Sequence, residues 1–250
     1  MGKIFAGWAR RAPAREQTAQ VPAPPPVEEI YARAGDDLSS VPWARLAPHP
    51  LLMLWLDSPD WPGDCPARHA DGGEALVIGC GLGDEAEELA RRGYAVTAFD
   101  ISPTAIARCR ERFRVADVLS LPGEWQGRFG LAVEINTIQS LPRADRPAAT
   151  AAIAGTLAPG GLLFVRCLAG SEDAPDGVQR PWPVSRSELA GFTAAGLTQV
   201  DLIDEAPVAA ASPFQRVIYQ RSRAPTRQFG APMTRRRKCF SRSIGFRGSR

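Results

Sequence analysis

The chain has 250 residues, 44% hydrophobic and 23% charged, with 30 basic and 27 acidic side chains. That is enough apolar material for one full core plus appendages, and no apolar run approaches the roughly 18 residues of a membrane span. Five cysteines without a CxxC pair and only two histidines argue against a disulfide framework or a zinc site, and for a soluble protein of a reducing, cytoplasmic compartment.

Residues 1–27 form a lead-in, rich in Pro and Ala over "APAREQTAQVPAPPPV", that should not pack. A cap segment, 28–73, runs through "VPWARLAPHPLLMLWL" into the irregular "DSPDWPGDCPARHADGG". From 74 to 222 strands and helices alternate. "EALVI" (74–78) reads as a strand, and 84–92 as a helix closed by Gly93. A second strand, "AVTAFD" (95–100), leads to Ser102 as a helix cap with Pro103 in first position. The stripe of that helix is Ile106, Cys109 and Phe113. A short strand around 113–116 precedes Asp117, and "GLAVEI" (130–135) is a fourth strand. The Ala-rich segment 143–158 reads as a helix stopping at "APGG", followed by a strand at "LLFVRC" (162–167). A helix from Ser185 to Ala195 and strands at 197–203 and 214–220 complete the domain. Such alternation predicts a doubly wound, seven-stranded, mostly parallel α/β sheet. The last two strands lack a helix between them, which predicts an antiparallel strand inserted at one edge. Residues 223–250 form a basic tail with 9 basic and no acidic residues from Arg223 onward, which leaves residues 1–222 at net −6. The tail has no apolar period and reads as disordered; nucleic-acid binding would rest on it alone.

The loop Gly79-Cys80-Gly81-Leu82-Gly83 follows the first strand, where open α/β sheets bind ligands. A dinucleotide fingerprint would place a third glycine at position 84, but Asp84 stands there, with Glu85, Glu87 and Glu88 behind it. Carboxylates at a helix start repel a diphosphate and favour a cation. Asp100, ending the second strand, can accept both hydroxyls of a ribose. An adenosine-like, cationic and phosphate-free ligand satisfies these conditions, as S-adenosylmethionine does. An NAD(P)-dependent oxidoreductase and a non-catalytic protein working through its basic tail are the alternatives.

On these segments the chain resembles the class I S-adenosylmethionine-dependent methyltransferases, with their Rossmann-like fold, over roughly residues 40–221. "ALVIGCGLGDEA", "AVTAFDISPTAI", "VADVLSLP", "FGLAVEINTIQSLP" and "TLAPGGLLFV" carry the resemblance. The segment around Trp43, with "SLPRADRPAATAAIAGTLAPGG", is similar to the thiopurine and thiol methyltransferase branch. The resemblance implies that Gly79, Gly81 and Gly83 let the backbone approach the methionine moiety. Asp100 would hold the ribose, Ile101 would pack on the adenine, and Asp117 with the Val118 backbone would read its edge. Glu134 would face the amino acid portion, Asn136 and Gln139 the acceptor, and Trp43 would join a lid. Plainer readings stand beside these: Asp117 as a turn residue, Glu134 paired with an arginine, and Cys80 as a small filler. His49 reads as structural or solvent-exposed, and Trp43 and Trp55 as packing residues. No catalytic side chain and no metal is expected. The expected partner is a small methyl acceptor, leaning to sulfur, with no membrane and a monomer favoured.

Overall fold

The computed structural model describes residues 27–59, 73–109, 113–172, 181–205 and 213–223. The lead-in before Val27, most of "DSPDWPGDCPARHADGG" and all but the first residue of the basic tail lie outside these. Two helices precede the sheet, α1 (Val27–Ala34) and α2 (Pro50–Leu56). Then come β1 (Glu74–Ile78), α3 (Asp84–Arg91), β2 (Ala95–Asp100), α4 (Pro103–Arg108) and β3 (Arg114–Val115). The second half is β4 (Phe129–Ile135), α5 (Arg146–Thr156), β5 (Leu157–Leu168), α6 (Arg186–Ala194), β6 (Leu197–Glu205) and β7 (Phe214–Arg221). No described helix is long and apolar enough to cross a membrane.

The seven strands run in the order β3-β2-β1-β4-β5-β7-β6. All neighbours from β3 to β5 are parallel, and β7 is antiparallel to both β5 and β6. The inserted antiparallel strand is thus β7, one place in from the edge, and the edge itself is β6. A strand buried on both faces reads as a continuous apolar run, and the period of two sends alternate side chains to opposite layers. Leu76 and Ile78 pack with Ile153 of α5 and Phe192 of α6, whereas Ala75 and Val77 pack with Leu89 of α3 and Trp55 of α2. Helices therefore cover both faces. Trp55 is a packing residue, its ring centroid 5.3 Å from that of Phe164.

Local chemistry explains most boundaries. The Ser102 side chain accepts from the Ala105 N–H and Pro103 opens α4, while Ser185 and Glu188 form a reciprocal capping box on α6. Two expectations need correction. The helix expected to carry Ile106, Cys109 and Phe113 stops at Arg108, because Cys109 takes up an extended backbone. Phe113 still reaches the same apolar layer as Ile106, arriving from the other side of that break. The Ala-rich helix also ends early, at Thr156, and "APGG" lies inside β5. The β4–β5 register slips there, from Phe129↔Leu157 to Leu131↔Leu162. A Cβ on Gly161 would stand 2.8 Å from the Phe129 carbonyl oxygen, so this kink needs a residue without a side chain.

Candidate functional site

Strand order reverses between β1 and β4, and a cleft of about 900 Å³ opens beyond their carboxyl ends. Three glycines of the β1–α3 loop have positive φ: 59° at Gly79, 54° at Gly81 and 91° at Gly83. Each meets a different neighbour. A Cβ on Gly79 would lie 2.1 Å from Thr137 Oγ1, and one on Gly81 2.8 Å from the Tyr31 hydroxyl. On Gly83 it would strike the Phe113 ring at 2.8 Å. Gly79 and Gly81 form part of the cleft wall and Gly83 does not. The last glycine lets α3 start against Phe113, which corrects the expectation that all three approach a ligand. Cys80 fits the filler reading. Its buried thiol is pushed up, first by a hydrogen bond with Cys109 and then by burial, so it stays protonated and unreactive.

The β2 side of the cleft is polar. Asp100 is 6% exposed, and its carboxylate accepts from the Gly81 and Ser102 N–H groups, each at 2.9 Å. Two such bonds leave about half of a carboxylate's acceptor sites open. Burial raises the Asp100 pKa, against the lowering effect of these N–H groups. Ile101, 58% exposed, stands on the cleft wall beside it. Asp117 accepts from the Leu119 N–H and caps a single 3-10 turn, Val118–Ser120. The turn-residue reading therefore holds, and Asp117 and Val118 also line the cleft.

The β4 side holds two surprises. Glu134 is fully buried at the end of β4 and does not reach the cleft wall, so the expectation that it faces a ligand is corrected. Nor does any described ion pair include it. Its Oε1 instead accepts from the Thr137 and Ile138 N–H groups at 2.6 and 2.9 Å, and Oε2 has no partner. Burial pushes its pKa up to about 7. The carboxyl thus keeps its proton in the folded protein to a pH where the unfolded chain has lost it. Its contribution to stability falls as pH rises from about 4.5 through about 7. Glu134→Gln keeps the neutral form at every pH. Denaturant titrations of variant and wild type should coincide near pH 4.5 and diverge above pH 7, the variant being more stable by up to about 3 kcal/mol.

Gln139 lies on the cleft wall, but its Oε1 accepts from the Leu168 N–H at 2.6 Å, joining the loop to β5. Asn136 also lines the cleft, with φ 65° and a buried, unpartnered Oδ1. Beyond these residues the wall carries Leu141, Pro142, Leu168, Pro181 and Phe214, together with the polar Thr137, Ser140 and Asp145.

The cap segment forms the roof. Trp43 donates from Nε1 to the Tyr31 hydroxyl at 2.7 Å and meets that ring edge-on, and both residues line the cleft. Tyr31 is 1% exposed and sits over Gly81, a role the sequence reading missed. Its signal was present in the helical stripe Val27, Ile30, Tyr31 and Ala34, which packs as one cluster with Val41 and Ala105. Glu28, also missed, accepts from the hydroxyls of Ser102 and Thr104 and docks α1 on the start of α4. His49 is buried and structural: its Nδ1 accepts from the Leu51 N–H, and its own N–H donates to Glu85. Burial, then the nearby Arg166 and Arg45, lower its pKa to about 4. The acidic start of α3 is thus partly structural, since Glu85 anchors the cap and Glu88 pairs with Arg91 and Arg92. Even so, the described wall carries six carboxylates (Glu28, Asp84, Glu85, Asp100, Asp117, Asp145) and one guanidinium, Arg45.

Residues 75–161 match the family model described as a methyltransferase domain. The ubiquinone biosynthesis O-methyltransferase of Xanthomonas euvesicatoria pv. vesicatoria is 33% identical over 106 residues, covering 39% of this chain and 44% of that protein. The match thus spans less than half the length of that relative. Among solved structures, a TehB-like SAM-dependent methyltransferase from Corynebacterium glutamicum superposes with a TM-score of 0.56 at 20% identity, covering 78% of this chain and 98% of that one. The 1,6-didemethyltoxoflavin-N1-methyltransferase of Burkholderia thailandensis, solved with 1,6-didemethyltoxoflavin and S-adenosylhomocysteine, gives 0.50 at 22% identity over 82% and 94% of the two chains. At such identities the structural likeness establishes the fold, which is that of Rossmann-like methyltransferases.

Proposed function

We propose that the protein transfers a methyl group from S-adenosylmethionine to a small molecule, with a sulfur atom as the preferred acceptor. The observation that carries this reading is the charge of the cleft, six carboxylates against one guanidinium, at the switch point of a methyltransferase domain. When bound, S-adenosylmethionine supplies a methyl group already activated by a cationic sulfur. Asp100 has acceptor sites left for two ribose hydroxyls, and Ile101 and Val118 offer apolar surface for an adenine beside Asp117. The Gly79–Gly81 backbone and the Asp84 carboxylate suit a ligand ending in an ammonium group. Methyl transfer is an in-line displacement, and holding two reactants in line can supply on the order of 7–11 kcal/mol. What the chain must do is orient the acceptor and exclude water, which the Tyr31–Trp43 roof and the apolar β5–β7 wall are built for.

The sulfur preference rests on the same wall. The imidazole in the described cleft, His49, has a pKa near 4 and its Nδ1 is engaged, so it is a weak base. A thiol near pKa 8.5 ionises readily, whereas an alcohol needs a general base. The relative named an O-methyltransferase keeps the oxygen alternative in the test. Calorimetry should detect binding of S-adenosylmethionine and S-adenosylhomocysteine, and none of NAD or ATP at comparable concentrations. Thiols should then be methylated faster than phenols, amines or halides. Tighter binding of NAD would overturn the cofactor reading; methylation of phenols but not thiols would overturn the sulfur preference alone.

A further inference from the structure

The β4 loop is tied at nearly every point. Glu134 holds the Thr137 and Ile138 N–H groups, Thr137 Oγ1 donates to the Ile78 carbonyl, and the Asn136 N–H donates to the Arg166 carbonyl. The Asn136 carbonyl in turn accepts from Ser140 Oγ. Two side-chain oxygens in this network are left over, both buried and without a partner: Glu134 Oε2, on a residue away from the cleft wall, and Oδ1 of Asn136, which lines it. Leaving such an acceptor unmade is costly, and Asn136 is one of the two non-glycine residues with positive φ among the described residues. Positive φ at a non-glycine residue collects at ligand sites. Asn136 lines the cleft on the side away from Asp100, where β4, β5 and β7 follow β1 in the sheet. Leu141, Leu168 and Phe214 offer a ligand no acceptor from their side chains; the other side-chain acceptors that line the cleft just after Asn136 are the Thr137 and Ser140 hydroxyls, each already donating within the chain, and the Asp145 carboxylate. Gln139 cannot substitute, since its oxygen is engaged by the Leu168 N–H. With nothing holding Oδ1, the carboxamide can turn about χ2, a broad two-fold torsion, to meet a donor in the cleft.

We propose that Asn136 is the specificity residue for the methyl acceptor, its Oδ1 receiving a hydrogen bond from an N–H or O–H group carried next to the nucleophilic atom. The inference rests on the methyltransferase reading above and narrows its substrate class. The acceptor is small and mostly apolar, so that it fills the β5–β7 wall, and it bears one donor within a bond or two of the atom that takes the methyl group. A site built to bond a donor rejects the isostere lacking it, because its own polar group is then left unpaired.

Two thiols of nearly equal size, 2-aminothiophenol and 2-methylthiophenol, separate the donor from the apolar contacts. Their dissociation constants are measured by calorimetry on full-length protein loaded with S-adenosylhomocysteine, so that no turnover is required. Wild type should bind the amino compound more tightly by about tenfold to a hundredfold. Asn136→Gly, which keeps the positive φ free of strain, should erase that preference, and Asn136→Asp, which keeps an acceptor oxygen, should retain it. Affinity for S-adenosylhomocysteine should stay within a few-fold in both variants. Equal binding of the two thiols by wild type, or binding of neither, would overturn the proposal. So would a loss of S-adenosylhomocysteine affinity in Asn136→Gly as large as the loss for the thiol. Failure of wild type to bind S-adenosylhomocysteine at all would instead overturn the underlying methyltransferase reading, and this proposal with it.

Discussion

Asp100→Ala is expected to weaken S-adenosylmethionine binding by roughly a hundredfold or more, as two hydrogen bonds to a charged group contribute on the order of 1.5–3 kcal/mol each. The geometry adds a second consequence. The same carboxylate accepts from the Gly81 and Ser102 N–H groups, so the alanine variant also leaves two backbone donors unpaired beside the glycine loop and the α4 cap. A lower melting temperature should therefore accompany the lost affinity. Asp100→Asn separates the two effects. It retains a carbonyl oxygen for one N–H and for part of the ribose, so both losses should be smaller. Turnover at saturating cofactor should change far less than affinity, because a ribose contact is uniform between ground and transition states. Calorimetry and steady-state kinetics on the three proteins check this. Unchanged affinity in Asp100→Ala would remove Asp100 from the cofactor site.

What the sequence made legible follows from how local each signal is. Strands such as "EALVI" and "FGLAVEI" are near-continuous apolar runs because both faces of β1 and β4 are covered, and a run of that kind can be read without knowing what covers it. Ser102-Pro103 and Ser185 with Glu188 announce helix starts within four residues. Asp100 was legible because the loop and the strand end that flank the switch point both carry signatures of their own. The β4 end was not. Glu134 looks like a ligand-facing carboxylate in "EINTIQ", yet its oxygen serves N–H groups three and four residues further along. Which of the two uses a carboxylate takes is decided by the backbone path after the strand. The acidic start of α3 was legible only in part. Glu85 meets the His49 N–H across 36 residues, and no local pattern encodes that contact. Gly83 and Gly79 look equivalent in the sequence and are kept free of a side chain by unrelated neighbours, Phe113 and Thr137.

The fold itself does not choose an acceptor. Of the features that would do so, Asn136 and Leu141 lie within the residues 75–161 that match the family model, whereas the α1–α2 roof and the wall at Leu168, Pro181 and Phe214 stand outside them. The cofactor half of the cleft is made of backbone turns and strand ends that the fold supplies, whereas the acceptor half is made of side chains added to it.

That division makes Arg146→Met the most consequential change away from any ligand. Arg146 opens α5 from within "SLPRADRP", where an arginine reads as a surface charge, and in the folded chain it is 1% exposed. Its guanidinium bonds Glu188 Oε1 at 2.7 Å and the carbonyls of Leu141, Trp182 and Pro183 at 3.3, 3.0 and 3.2 Å. One planar cation thus ties together the β4 loop, the chain entering α6 and the capping box at the start of α6. Methionine fills much of the volume but donates nothing, leaving three carbonyls without this donor and Glu188 paired with the Arg143 guanidinium. Breaking a buried pair from one side costs about 3–5 kcal/mol, a large part of the stability of a domain this size. Denaturant unfolding should report a loss of that order. The loss should also have a direction in function. Leu141 lies on the acceptor side of the cleft and is held through its carbonyl, while Asp100 ends β2, two strands away, and the glycine loop follows β1, one strand away. At a temperature where the variant remains folded, KM for the acceptor should rise several-fold while the dissociation constant of S-adenosylmethionine stays near its wild-type value. Loss of cofactor affinity with an unchanged acceptor KM would mean that Arg146 supports the other half of the cleft.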